Sequence, residues 1–309
     1  MTLSLLVRLA LFGMASIGVT FLLGCLRRFP LGFAAVLSIG AYTAACLRIE
    51  AGWPWWACVA AGSLAGAVVS VVPALFDKAL VGDEYVVLSW MVALGCAEMI
   101  GLMEVTGGQH SLIGIPPLFG GAKGFGQGAQ VLYALFMGVM LLAWLFRRSR
   151  SYQEARLAGV CPKSLAVAGR SVLSVSLQVH WMAGLCGGLA GSFWGALYQT
   201  LHPSMFGLSE SVVILLICLV GGQGEPLGVV VGLLVVFLVP DLLPLQRMAP
   251  SLAWLSRLLG VDPPDPVVVV NCLHQAMLGL LLVAAILWMQ RGMMPFFERG
   301  WHPRGCRKV

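Results

Sequence analysis

Long apolar runs, following one another almost from end to end, limit what this chain can fold into more than any other feature. They fall at 5–26, 31–47, 55–75, 85–103, 129–146, 173–197, 209–221, 227–243 and 267–289. A helix that crosses a bilayer needs about 20 mostly apolar residues. In lipid only helices and closed barrels can satisfy their own backbone polar groups. Runs of this length therefore predict an all-α polytopic membrane protein of about nine transmembrane helices. The seventh run, 209–221, is short, so its helix is expected to begin nearer Met205 or to re-enter. With 59% hydrophobic and 10% charged residues in 309, the chain has no room for a sizeable soluble domain, where about a quarter of residues would be charged. It is read as one membrane domain, 1–309. Met1–Leu26 lacks a small-x-small cleavage site before a polar region and is read as a retained first helix.

The net charge of +6 does not signal nucleic acid, because the basic residues sit in short runs beside apolar segments, as membrane orientation signals do. If all nine runs cross, one side collects Arg27, Arg28, Lys78, Arg147, Arg148, Arg150, Arg156, Lys163, Arg170, Arg291, Arg299, Arg304, Arg307 and Lys308. The other has only Arg8, Arg48, Lys123, Arg247 and Arg257. The positive-inside rule then puts the N-terminus outside and the C-terminus in the cytoplasm, with Trp53, Trp55 and Trp56 at the outer interface. The nine cysteines have no Cys-x-x-Cys pair or regular spacing, so neither a disulfide framework nor a metal site is expected. Pro30-Leu31-Gly32 and Pro226-Leu227-Gly228 each open an apolar run, with proline suited to a first helical turn.

Several interruptions could carry function. Gly184/Gly188, Gly187/Gly191 and Gly191/Gly195 repeat Gly-x-x-x-Gly, a spacing that lets helices pack closely or lines a narrow path. Gly221-Gly222-Gln223-Gly224-Glu225 breaks the pattern between two runs and is either a turn or backbone lining a watery cavity. Thr106-Gly107-Gly108 opens a similar break on the outer side. Glu98 and His180 lie within runs and Asp241 near the end of one; such groups face the bundle interior or a water path. For Glu98, pairing with another helix and contact with a solute are both open. The polar stretch 147–170 holds Tyr152, Gln153, Glu154, Ala155, Arg156, Leu157, Ala158, Gly159, Val160 and Cys161, a short helix with Gly159 and Pro162 as stop signals. It is an orienting basic loop or a helix that docks on another protein. No phosphate-binding loop, His-Glu-x-x-His or Gly-x-Ser-x-Gly is present, so any ATP hydrolysis would belong to a separate chain.

Taken in order, several segments resemble the permease subunits of branched-chain amino-acid (Liv-type) ABC transporters, in particular the M-type partner of the pair. They are Leu31 to Ala35 with Ile39 to Ala44, Gly82 to Tyr85 with Glu98, Thr106-Gly107-Gly108 through Gly114-Ile115-Pro116, and Glu154-Ala155 with Gly159-Val160. Ala183-Gly184, Leu189-Ala190-Gly191, Gly221 to Gly224 with Gly228 and Gly232, and Arg291 to Pro295 complete the series. Ser111 and Glu225 depart from the family pattern, Glu225 placing an unpaired charge beside the break.

The resemblance implies a non-catalytic, multi-pass permease of the bacterial inner membrane with no cofactor of its own. Its implied partners are a second permease subunit in a heterodimer, two cytoplasmic ATPases that use ATP, and a periplasmic solute-binding protein. It also implies that Tyr152 to Cys161 docks on an ATPase. Substrates would be branched-chain amino acids, or a related small polar solute such as urea or amides, moved by alternating access. The alternative is a self-sufficient ion-coupled secondary transporter using Glu98 and His180.

Overall fold

A computed structural model describes residues 2–76, 83–108, 110–117 and 124–238, and short helical pieces at 275–277, 279–280 and 282–283. The predicted run at 267–289 lies largely outside the described residues. Lys78, Lys123, Asp241, Arg247, Arg257 and the tail basic residues Arg291, Arg299, Arg304, Arg307 and Lys308 lie wholly outside them.

The chain is a helical bundle. Helices α1 (Thr2–Phe21), α2 (Ala34–Glu50), α3 (Trp55–Leu75), α4 (Asp83–Leu102) and α5 (Gly124–Arg147) lead to the short α6 (Arg150–Val160) and α7 (Pro162–Val167). Helices α8 (Val172–Tyr198), α9 (Leu208–Gly221) and α10 (Pro226–Leu233) follow. Among the described residues, six stretches are long and apolar enough to cross a membrane: Leu5–Leu26, Trp55–Leu75, Asp83–Leu102, Gly126–Arg147, Val172–Tyr198 and Pro203–Gly221. The last begins in a 3-10 turn at Pro203–Phe206, which lengthens the short seventh run as its composition demands. Helix α2, with 17 residues, and Pro226–Phe237 are shorter. Pro226 sits in the first turn of α10, whereas Pro30 lies a turn ahead of α2, which starts only at Ala34.

Glycine sets how closely these helices approach. A Cβ on Gly188 would lie 2.7 Å from the Gly62 carbonyl oxygen of α3, and one on Gly191 would lie 2.0 Å from the Leu37 carbonyl oxygen of α2. On α1, a Cβ on Gly18 would meet the Ala183 carbonyl oxygen at 2.7 Å. The Gly-x-x-x-Gly stripe is thus a packing seam that makes α8 the hub of α1, α2 and α3. Close approach of this kind is what small residues contribute in lipid, where dispersion rather than water exclusion drives association. Helix α1 is almost wholly enclosed, while α4 and α5 keep broad exposed flanks.

Several polar groups inside the bundle find partners on other helices, while the hydroxyls of Ser16, Tyr42, Tyr133 and Tyr198 are buried without one among the described residues. The Ala34 amide at the start of α2 donates to Ser211 Oγ at 2.9 Å, so a serine of α9 serves one of the amides a helix start leaves without an intrahelical acceptor. Ser192 Oγ lies 2.8 Å from the Gly188 carbonyl and 3.2 Å from that of Gly40. Thr20 and the Ser16 carbonyl both meet Cys218 of α9. Cys25, Cys46, Cys58, Cys96, Cys186 and Cys218 are free thiols. Cys161 is disulfide-bonded, a single bond rather than the framework the spacing excluded.

Helix ends gather on two sides. One holds the end of α1, the start of α2, α6, α7 and the α9–α10 connection; the other holds the α2–α3 turn, the loop after α4 and the segment after α8. On that second side a two-residue antiparallel pair, Leu112 with Leu201 and Ile113 with Thr200, ties the α4–α5 loop to the end of α8.

Candidate functional site

The segment expected to dock is a helix seated on the end of the bundle. Ser149 caps it, accepting a hydrogen bond from the Tyr152 amide at 3.3 Å. Spacing then divides its faces: Tyr152, Ala155 and Ala158 are buried, while Gln153, Arg156, Leu157 and Val160 are exposed. Arg170 at the foot of α8 brings Nε (3.0 Å) and Nη2 (2.8 Å) to Glu154 Oε2, fastening α6 on a second side. Cys161 lies at the C-terminal end of α6, where its amide donates to the Leu157 carbonyl at 2.8 Å, and Pro162 opens α7.

The buried face of α6 rests on the end of α1. There α1 widens into a π-helical turn, Leu22–Leu26, and stops at Arg27 with φ 56°. Gly159 lies so close that a Cβ would be 2.0 Å from the Cys25 carbonyl oxygen. The Tyr152 ring meets Phe21 and Phe146 edge-on at 6.2 and 6.1 Å. Its hydroxyl donates to the Gly224 carbonyl at 3.0 Å. Burial above all raises the Tyr152 phenol to about 12, so it remains a donor at neutral pH.

Gly224 belongs to the Gly-rich break, which resolves as a tight turn joining α9 to α10. Gly222 and Gly224 have φ of 112° and 86°, a region that favours glycine. Gly221 and Gly228 face each other so closely that a Cβ on Gly221 would be 2.0 Å from the Gly228 carbonyl oxygen. A Cβ on Gly24 would be 2.2 Å from the Gly224 Cα, so this turn also touches the end of α1. Glu225 is not the unpaired charge expected: it forms an ion pair with Arg147 at the end of α5. Three separate stretches therefore converge under α6.

The remaining candidates lie elsewhere. Thr106 is buried with its hydroxyl 2.5 Å from the Ile100 carbonyl and 2.7 Å from that of Met103, which stops α4. Gly107 and Gly108, at φ 81° and 62°, turn the chain immediately afterwards. This loop is held by its own turns and the short strand pair. His180 is buried, with Nδ1 2.9 Å from the Ser176 carbonyl and Nε2 2.8 Å from the Tyr85 hydroxyl. The carbonyl can only accept, so Nδ1 carries the proton and Nε2 accepts from Tyr85. Glu98 lies on the exposed flank of α4 without a salt bridge or hydrogen bond among the described residues. The pairing of Glu98 with another helix is therefore not what the structure shows, nor does a hydrogen bond join it to His180.

Two residues escaped the sequence reading. Arg147 counted only as an orienting charge, and His202, which shares a cleft with Glu98, carried no signal beyond a polar residue before Pro203.

The model of the family described as "Branched-chain amino acid transport system / permease component" matches residues 1–286. The chain belongs to this permease family. Two curated relatives are the LivM high-affinity branched-chain amino acid transport system permease proteins of Salmonella typhimurium and Escherichia coli, 24% and 23% identical over 313 aligned residues. These alignments cover 90% of this chain and 66% of each relative's length, so the chain spans slightly less than two thirds of them. No solved structure matches. Family membership and the six apolar helices make this a multi-pass membrane transport component.

Proposed function

We propose that this permease is one membrane-spanning half of a bacterial ABC importer for branched-chain amino acids. Its own part is to form the path; nucleotide hydrolysis belongs to two cytoplasmic ATPases, and delivery to a periplasmic binding protein. A second permease completes the pair. The end bearing α6 faces the cytoplasm, which puts the N-terminus outside and, with nine crossings, the C-terminus inside the inner membrane. Charge supports this orientation. Arg27, Arg28, Arg147, Arg148, Arg150, Arg156, Lys163 and Arg170 crowd the α6 end, against Arg8 and Arg48 opposite among the described residues.

The observation that carries the reading is the two-faced seating of α6. Its inner face is fixed to α1 and to the α9–α10 turn, while its outer face offers Leu157 and Val160 among Arg156 and Lys163. Apolar side chains exposed beyond the lipid-facing belt, ringed by charge, suit a protein partner. A push on α6 reaches two membrane helices at once, which is what alternating access requires of a motor outside the membrane. Branched-chain amino acids are the cargo named for the relatives, and urea or short amides are the neighbouring alternative.

Reconstituted uptake tests the reading. Proteoliposomes containing this permease with its co-purified partners should accumulate radiolabelled leucine only when ATP is enclosed with the ATPases. Uptake by the purified chain alone, driven by an ion gradient, would overturn it in favour of a secondary transporter.

A further inference from the structure

Helix α4 combines two properties that do not belong together in lipid. It is long and apolar enough to span, and its flank leaves Met91, Leu94, Met99 and Leu102 exposed. Yet Glu98 stands on the same exposed flank, one turn from the end opposite α6, without a salt bridge or hydrogen bond among the described residues. A carboxylate within a spanning helix is unfavourable against hydrocarbon, so intramembrane acids face water or protein. The flank of α4 around Glu98 therefore borders a space that water or protein fills, not lipid tails.

That space is visible as a cleft of about 340 Å³ between α4 and the segment that follows α8. Trp90, Leu94 and Phe206 supply apolar walls, and Glu98 and His202 are its ionisable members. His202 is fixed by its neighbour: Nδ1 accepts from the Ser204 amide at 3.1 Å and lies 2.7 Å from the Ser204 hydroxyl. An amide can only donate, so the ring proton of this neutral histidine is on Nε2. The cleft thus holds a carboxylate acceptor, an N–H donor on a fixed ring, and apolar walls.

The geometry points to a solute site for a zwitterionic amino acid with an apolar side chain, its ammonium on Glu98, its carboxylate on His202 Nε2–H, and its side chain against Trp90, Leu94 and Phe206. The site deepens the importer reading and rests on it: it is the first station for cargo entering from the side opposite α6. Small-molecule sites are mostly apolar clefts with a few placed polar groups, and this one separates the two charges of its ligand between two elements of the fold.

Binding to the detergent-solubilised complex of this permease with its co-purified subunits, without the binding protein, tests it. Three probes divide the contacts: leucine, 3-methylbutylamine, which lacks the carboxylate, and 4-methylpentanoate, which lacks the ammonium. Glu98→Gln should weaken leucine and the amine about ten-fold and leave 4-methylpentanoate unchanged. His202→Asn, which keeps an acceptor for the Ser204 amide, should weaken leucine and 4-methylpentanoate and spare the amine. Unchanged leucine affinity in Glu98→Gln would overturn the site. In that case the importer reading would stand. Absence of leucine uptake by the wild-type transporter would instead overturn the importer reading beneath it.

Discussion

Gly159→Ala separates a seated α6 from a loose basic loop, because the two predict opposite signs. In a helix that merely floats on the surface, alanine is the better helix former, and the substitution stabilises it by up to about 1 kcal/mol. In the observed packing the new methyl group would sit 2.0 Å from the Cys25 carbonyl oxygen, 3.0 Å from the Cys25 carbonyl carbon and 3.1 Å from that of Leu26. These are backbone atoms of the π-helical turn and cannot swing aside, so α6 must move away by roughly an ångström. Overpacking costs about 1–3 kcal/mol, and a clash with backbone belongs at the upper end. After subtracting the gain in propensity, about 2 kcal/mol of destabilisation remains, a shift of roughly thirty-fold toward the unseated arrangement. Displacing α6 also stretches the Tyr152–Gly224 hydrogen bond. The assay is ATP hydrolysed per leucine imported in proteoliposomes, beside limited trypsin cleavage at Arg150 and Arg156 in detergent. The variant should insert normally, hydrolyse more ATP per solute and be cut faster. Wild-type coupling with unchanged or slower cleavage would refute the seating.

Three further outcomes follow from the same packing. Gly191→Ala, whose methyl would meet the Leu37 carbonyl oxygen at 2.0 Å, should lower thermal stability in detergent by about 1–3 kcal/mol, whereas Gly138→Ala, with open space around it, should be neutral or slightly stabilising. The seating of α6 should loosen in alkali: the phenol of Tyr152 is raised by burial from 10 to about 12, so its contribution is complete below about pH 10 and is lost as pH rises toward 12. Trypsin cleavage of α6 should accelerate through that window, and Tyr152→Phe should remove the pH dependence. The exposed pair Leu157 and Val160 tests the outer face: Leu157→Glu with Val160→Glu should leave the fold intact and reduce ATPase co-purification at least about ten-fold, and undiminished co-purification would move the motor contact elsewhere.

How much of this was legible in the sequence depends on the range over which each signal acts. Helix positions are local properties, and the described helices fall within a few residues of the apolar runs. The Gly-x-x-x-Gly spacing marked α8 as a packing helix because one stripe of small residues is enough to let a neighbour approach. Which neighbours it meets was not readable, since α1, α2 and α3 lie far from it in the chain and offer small residues of their own at Gly18, Gly40, Gly62 and Gly66. Nor was the exposed side of α4, whose apolar residues run around the whole helix, so that beyond the first-turn Asp83 and Glu84 only the charge of Glu98 distinguishes a face.

The seating of α6 shows the same limit with a mechanical consequence. Tyr152 read as one residue of a polar segment, because its partner is a backbone carbonyl 72 positions away that any sequence would supply. Glu225 read as an intrusive charge, because Arg147 lies at the end of a different helix. Together they give the segment a property neither shows alone. The hydrogen bond from Tyr152 is buried and directional, whereas the Arg147–Glu225 pair is partly exposed and ranks among contacts worth about 1 kcal/mol or less. A motor moving α6 would therefore drag the α9–α10 turn through Tyr152 and the end of α1 through Gly159. The ion pair from α5 would yield to such a push more readily than the buried contacts. Tyr152 also packs on Phe146 of α5, so α6 holds all three elements together, and the partly exposed ion pair is the contact among them that yields most easily.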